Sequence, residues 1–281
     1  DKAPVTTDNI PAGWQNTIVT ITLTPTDDGQ GVNKTYYTTD GSDPTNDSNL
    51  NRSLYYDYAG SQDATGPFDV GGENDPGDGS WTIKYYSYDK NSTANNESVN
   101  TETIRVDTEN PSTTDNAPPG WQNTKPVLVT LNATDETSGV YKTYYTTDGS
   151  DPTISNSVYS SSIEFSTEGN NTLKYKTKDN ASNFGSINIS YILIDTVRPT
   201  SEVGVLSEES DSNSAINVTW SSDDSSSGVA NVTIQIKNGS GNWTDWLTGQ
   251  NPNGYEYYTN GSIESTYYFR SIAIDNATNV E

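Results

Sequence analysis

Apolar residues in this chain come in short alternating runs, at every second position rather than at the spacing of a helix face. Val19, Ile21 and Leu23 form one run, Val127, Val129 and Leu131 a second, and Ile216, Val218 and Trp220 a third. A period of two puts all the apolar side chains of a run on one side of a strand, so each run predicts a strand with one buried face. Further short segments follow the same rule: Val158 to Phe165, Leu173 to Lys178, Ile187 to Ile194, Val232 to Ile236 and Thr266 to Ile274. Clusters of Asp, Asn, Gly, Ser and Pro separate them, and these residues favour turns. No stretch of useful length carries a helix period.

The pattern repeats. The twelve residues Lys34 to Thr45, KTYYTTDGSDPT, recur unchanged from Lys142 to Thr153. Their Tyr/Thr half suits a strand and their Asp-Gly-Ser-Asp-Pro half a hairpin turn. Upstream in both copies lie a Pro-led first strand (Pro4 to Asn9, Pro111 to Asn116), a Gly-Trp-Gln-Asn-Thr corner (Gly13 to Thr17, Gly120 to Thr124), and an acidic turn (Thr26 to Val32, Thr134 to Val140). A third, diverged copy keeps the acidic turn as Asp223 to Val229 but lacks the twelve-residue motif. Six or seven strands in roughly 90 residues is the count and spacing of an immunoglobulin-like sandwich. The expected architecture is therefore all-β, three tandem immunoglobulin-like β-sandwich domains in an elongated array. The expected domains are residues 1–107, with a loop insertion near 55–80, residues 108–196, and residues 197–281, the last without its final strand. Either the chain is cut short before that strand, the favoured reading, or the sheet edge is completed by the next segment or by another molecule. Trp14, Trp121 and Trp220 occupy repeated framework positions and are expected in the cores.

Composition narrows the partners. With 14 basic against 38 acidic residues, the formal net charge of -24 repels phosphate backbones and anionic lipid, so neither nucleic acid nor membrane contact is expected in this segment. Mean hydropathy is -0.78, yet 19 Tyr and 6 Trp supply sandwich interiors. Without Cys there are no disulfides, and the absence of Met suggests a processed or excerpted chain. The lack of His as well removes the usual general bases and thiol nucleophiles, and the acids sit in repeated turns, so no enzyme is expected.

The Gly-Trp-Gln-Asn-Thr corner, the acidic turn ending in Ser-Gly-Val and the Tyr-Tyr-Thr-Thr-Asp-Gly-Ser-Asp-Pro-Thr motif together resemble the immunoglobulin-like repeats found in tandem in archaeal and bacterial cell-surface proteins. The last of these motifs resembles that of chitobiase and β-hexosaminidase C-terminal-type domains. The third repeat, with Val218-Thr219-Trp220, Trp243 to Leu247 and Tyr267 to Glu281, resembles a fibronectin type III-like relative. The resemblance implies an extracellular cell-surface location and a structural role as surface-layer, filament or adhesin module. Its implied partners are other copies of the chain or other cell-surface proteins. The alternative it leaves open is a carbohydrate-binding accessory module of a secreted glycoside hydrolase.

Oxygen-only ligands suit calcium, which takes about six to eight of them. In this topology the linker before a repeat, the turn after its second strand and the turn after its sixth strand share one end. The second repeat places Asp107 and Glu109, Asp135 and Glu136, and Asp179 there, and the third places Asp195, Asp223 and Asp224, and Asp275. The first offers Asp27, Asp28 and Asp89, its linker acid falling before residue 1. Calcium at these positions is expected to stiffen the junctions, although Asp also simply favours turns.

Fifteen Asn-x-Ser/Thr sequons are the expected N-glycosylation positions, the alternative being a β-surface simply rich in Thr, Asn and Ser: Asn33, Asn46, Asn51, Asn91, Asn96, Asn132, Asn170, Asn180, Asn188, Asn217, Asn231, Asn238, Asn242, Asn260 and Asn276. Trp243 and Trp246, or the cluster of Tyr55, Tyr56 and Tyr58, are the aromatic residues that could stack on a sugar.

Overall fold

The computed structural model describes residues 2–44, 55–57, 67–73, 76–90, 95–206, 215–262 and 264–281, with backbone alone at 55–57. All regular structure among these residues is strand, so no helix is long and apolar enough to cross a membrane. The chain is all-β, built of β-sandwich domains.

In the first repeat a five-stranded sheet runs in the order Trp14–Gln15, Asn100–Val106, Gly79–Asp89, Val32–Thr38, Tyr55–Asp57. Two antiparallel pairs complete the layers, Val5–Asp8 with Leu23–Thr26 and Val19–Ile21 with Phe68–Val70. The second repeat has the same arrangement. Its five-stranded sheet is Trp121–Gln122, Asn188–Ile194, Gly169–Asp179, Val140–Thr146, Ser157–Val158, accompanied by Ser112–Asp115 with Leu131–Thr134 and Val127–Val129 with Ile163–Phe165. The third repeat has two three-stranded sheets, Thr200–Val203, Ile216–Asp223, Gly254–Tyr258 and Thr244–Gln250, Val229–Asn238, Tyr267–Asp275.

Three hydrophobic clusters sit inside these layers: Ile21, Leu23, Tyr37, Ile83 and Ile104 in the first, Val129, Phe165, Leu173, Ile192 and Ile194 in the second, and Val218, Trp220, Val232, Ile234 and Ala273 in the third. By compactness the chain divides into two units. One comprises Asp1–Thr114, Asn132–Tyr144 and Lys176–Ile187 and holds the first cluster; the other comprises Asp115–Leu131, Tyr145–Tyr175 and Asn188–Glu281 and holds the other two.

The alternation that builds the cores also carries polar groups inside. Along Gly169–Asp179 the buried positions are Leu173, Tyr175, Thr177 and Asp179, and along Gly79–Asp89 they include Ile83, Tyr85, Ser87 and Asp89. The buried hydroxyls find one another. Thr177 Oγ1 bonds Thr113 Oγ1 at 2.5 Å and Thr143 Oγ1 at 2.7 Å, and Ser87 Oγ bonds Thr6 Oγ1 at 2.6 Å and Thr35 Oγ1 at 2.7 Å. Such pairing is what makes a polar strand end tolerable in an interior.

Of the three framework tryptophans only Trp220 is in a core, at 6% exposure. Trp14 and Trp121 are half-buried because the corner they occupy is itself a two-residue strand. It pairs in parallel with the last strand of its repeat, Trp14 with Arg105 and Trp121 with Leu193, and its contribution is backbone pairing.

Ile192 is fully buried in the second cluster, so Ile192→Ala is expected to cost about 2–5 kcal/mol. Urea denaturation followed by tryptophan fluorescence checks this, and an unchanged midpoint contradicts the assignment of Ile192 to a packed core.

Candidate metal centres

Period two carries Asp179 and Asp275 to the inner end of their strands, while Asp107 and Asp195 come directly after the last strands Asn100–Val106 and Asn188–Ile194. All four are buried, with exposures of 0–1%. The acidic turn adds a third carboxylate from above. Asp107, Asp135 and Asp179 form one group and Asp195, Asp224 and Asp275 another, with one oxygen from each residue of a group within 4.8 Å of the others. Each group lies wholly within one of the two compact units.

The surrounding hydrogen bonds are the same in the two groups. The backbone N–H of Asp107 donates to Gln15 O at 2.9 Å, and its side chain accepts from Glu109 N at 3.1 Å and Ser138 N at 3.0 Å. Asp195 donates to Gln122 O at 2.9 Å and accepts from Val197 N at 3.0 Å and Ser227 N at 2.9 Å. Asp135 Oδ1 accepts from Gly139 N at 2.6 Å, and Asp224 Oδ1 from Gly228 N at 2.7 Å. These glycines have φ of +79° and +78°, the left-handed conformation that closes the turn under its own aspartate.

Asn183 and Asn279 lock each group from below. Asn183 Nδ2 donates to Asp179 Oδ2 at 2.7 Å and to the carbonyl of Asp107 at 2.8 Å; Asn279 Nδ2 donates to Asp275 Oδ2 and to the carbonyl of Asp195, both at 2.8 Å. Neither residue is among the expected ligands. The signal for them is the pair of segments Asp-Asn-Ala-Ser-Asn (179–183) and Asp-Asn-Ala-Thr-Asn (275–279), which begin and end on the clustered residues.

Within these segments Asn180 Nδ2 donates to Ser138 O at 2.8 Å and Gly139 O at 2.9 Å, and Asn276 Nδ2 donates to Ser227 O at 2.8 Å and Gly228 O at 2.9 Å. The residue after each linker aspartate is also held. Glu168 accepts from Thr196 N at 3.0 Å, and Asp78, inside the insertion of the first repeat, accepts from Thr108 N at 2.8 Å.

Three carboxylates this close repel, and burial removes the water that would screen them. Burial pushes the Asp179 carboxyl above its ordinary value, and the charges of Asp107 and Asp135 push the same way, against the two bonds from Asn183. No lysine or arginine forms an ion pair with any of the six among the described residues. Carboxylate oxygens prepositioned by backbone N–H groups, with four of the six residues buried, are the donor type that a small hard cation takes.

The remaining acids stand elsewhere. Glu109, Glu136, Asp28 and Asp223 are exposed and outside the groups, because each sits one or two positions along a turn from the aspartate that faces inward. In the first repeat Asp89 is buried and accepts from Asn95 Nδ2 at 2.9 Å, as Asp179 does from Asn183. Asp27 accepts from Gly29 N and Gly31 N through Oδ2, and its buried Oδ1 has no hydrogen-bond partner. These two belong to no three-carboxylate group among the described residues.

Trp246 lies against the third core, edge-on to Tyr258 and Phe269 at centroid distances of 5.5 and 5.4 Å, so it offers no free sugar platform. The strand Thr244–Gln250 turns it inward and leaves Trp243 on the other side of the sheet, beneath Lys237 and Arg270 at 4.9 and 4.6 Å. The sequons Asn96, Asn132, Asn170, Asn180, Asn217, Asn238, Asn242, Asn260 and Asn276 are exposed, and Asn33, Asn188 and Asn231 are half-buried. Asn46, Asn51 and Asn91, with Tyr58 and the side chains of Tyr55 and Tyr56, lie outside the described residues.

Residues 118–202 match the family model described as the chitobiase/beta-hexosaminidase C-terminal domain. No curated protein matches the chain. Among solved structures, the chain is similar to three N-terminal domains of the bacteriophage RB49 Highly Immunogenic Outer Capsid protein (Hoc), at 14% identity, TM-score 0.38, over 99% of this chain and 96% of that one. It is also similar to fibronectin(III)-like modules of Clostridium thermocellum CbhA, at 15% identity, TM-score 0.30, over 68% and 94%. Chicken CNTN1 FN1-FN3 domains are a third likeness, at 14% identity and TM-score 0.27, over 97% and 93%. These likenesses carry nothing about activity.

Two substitutions test the geometry. Asn183→Ala leaves two buried acceptors without a donor, at about 1–3 kcal/mol each, and its urea midpoint is expected to fall accordingly. The Lys125 ammonium, with Thr196, holds the Glu168 carboxyl at about 2, below its ordinary 4.5. A carboxyl depressed in the fold stabilises above its unfolded value and loses that contribution as pH falls through its folded value. The Tm deficit of Glu168→Gln is therefore expected at neutral pH and to close between about pH 4.5 and 2; it is modest because the pair is exposed. A deficit that persists at pH 2 contradicts this account.

Proposed function

We propose that the chain is a structural part of an extracellular cell-surface protein, a surface-layer, filament or adhesin-stalk segment made of N-glycosylated immunoglobulin-like repeats with limits near residues 107 and 196. In this reading calcium occupies the two aspartate groups and its partners are other copies or other surface proteins. No catalytic role belongs to it. The observation that carries the reading is the duplicated group itself: Asp107 and Asp195 each follow the last strand of one repeat and join the turns of the next. A cation bound there neutralises the clustered charge and fixes the link between consecutive repeats, which is the requirement of a load-bearing string.

The alternative, a carbohydrate-binding accessory module, draws support from the family match over residues 118–202. Specific binding on a glycan array, lost on Trp243→Ala, decides for it.

Calcium titration by calorimetry tests the structural reading. Two sites per chain are expected, with a higher Tm in calcium than in chelator, and Asp179→Asn is expected to remove one site and leave the other. Absence of binding heat together with an unchanged Tm refutes the cation sites.

A further inference from the structure

The basic residues are segregated. Eight of the 14 fall in three strand pairs, Val32–Thr38 with Gly79–Asp89, Val140–Thr146 with Gly169–Asp179, and Val229–Asn238 with Tyr267–Asp275, one in each strand except Gly169–Asp179, which holds three. The rest of the chain has six basic residues to set against nearly all of its 38 acids, so its formal charge is strongly negative.

In the second pair, Lys142, Lys176 and Lys178 gather round two exposed rings. Tyr141 is 50% and Phe184 37% exposed. Lys176 Nζ stands 4.8 Å and Lys178 Nζ 5.6 Å from the centre of the Phe184 ring, while Lys142 and Lys178 stand 4.9 and 5.7 Å from that of Tyr141. The rings hold the ammonium groups in place by cation–π attraction. Lys125 and Lys174 pair with Glu168 and Asp151, yet none of these three forms an ion pair among the described residues. Three like charges are thus concentrated with no carboxylate paired to them among the described residues. Because the ammoniums lie over the rings, the face presents cations outward more than it presents bare rings for a sugar to stack on.

We infer that this face docks the acidic surface of a second copy of the chain. The argument is charge complementarity: a copy that carries both this group of three lysines and an excess of 38 acidic over 14 basic residues holds both halves of the contact. At physiological ionic strength the screening length is about 8 Å, so the long-range repulsion between copies is damped while close pairs at the contact keep their attraction. The contact joins unlike surfaces, which lets it propagate from copy to copy. This inference rests on the structural reading above and names the surface by which copies meet.

Sedimentation velocity of the full chain in 0.15 M salt (about one physiological strength), with and without calcium, tests it. The unaltered chain is expected to self-associate, and K142E/K176E/K178E to weaken association on the order of a hundredfold, since attraction becomes repulsion at the contact. K142Q/K176Q/K178Q removes the charge alone and serves if the reversed variant does not fold; it is expected to weaken association on the order of tenfold. Association undiminished in folded variants overturns the docking face and leaves the assembly reading standing. A chain that stays monomeric overturns the inference, while the cation sites are judged separately by calorimetry. Lysine-dependent binding of polygalacturonate without self-association also overturns it, in favour of an acidic polysaccharide.

Discussion

A strand that enters a turn with an aspartate on its inner face brings a negative charge into a place where water cannot follow. In this chain that constraint recurs at the C-terminal ends of four strands. Asp179 and Asp275 close one strand, and Asp107 and Asp195 follow another. Each needs donors, and the fold supplies them from backbone N–H groups of turns and from the amides of Asn183 and Asn279. The acidic turns, their left-handed glycines and the short Asp-to-Asn segments are arranged around meeting that need.

The linker aspartates show what the arrangement does to chain geometry. Asp107 is bonded through its N–H to the corner of the repeat it leaves, through its side chain to the acidic turn of the repeat it enters, and through its carbonyl to Asn183. Thr108, the next residue, is held by Asp78, and Thr196 is held by Glu168 in the same way. Each linker aspartate therefore has both its backbone groups committed, and the residue after it its N–H. Buried like charges are tolerated at a cost in the absence of a counter-ion, which is why a cation would act on this segment more strongly than on any exposed acid in the chain.

Much of the fold was legible from alternation alone. Val127, Val129 and Leu131 in one repeat and Ile216, Val218 and Trp220 in another mark strands, and Val129 and Val218 are fully buried. Topology then brought Asp107, Asp135 and Asp179 to one end, because three segments remote in sequence must share it. What alternation does not resolve is the direction of side chains within a turn. Asp224 belongs to the group and Asp223 does not; Asp135 belongs and Glu136 does not. The choice is made by which carboxylate can accept from the turn's own N–H groups, a matter of local dihedral angles. Trp246 illustrates the same limit, since NWTDWL does not say which of its two indoles faces the core. The amide clamps escaped because Asn in a turn is so common that it carries little information.

Asn180 and Asn276 are exposed, and each begins a sequon, yet each spends both hydrogens of its amide nitrogen on two carbonyls of the neighbouring acidic turn. An asparagine joined to a sugar retains a single hydrogen on that nitrogen and so cannot make both bonds. Surface exposure and a matching tripeptide are thus not enough to make an acceptor. At these two positions a glycan would cost one of the two side-chain bonds to the acidic turn, so attachment there competes with part of the turn's own closure.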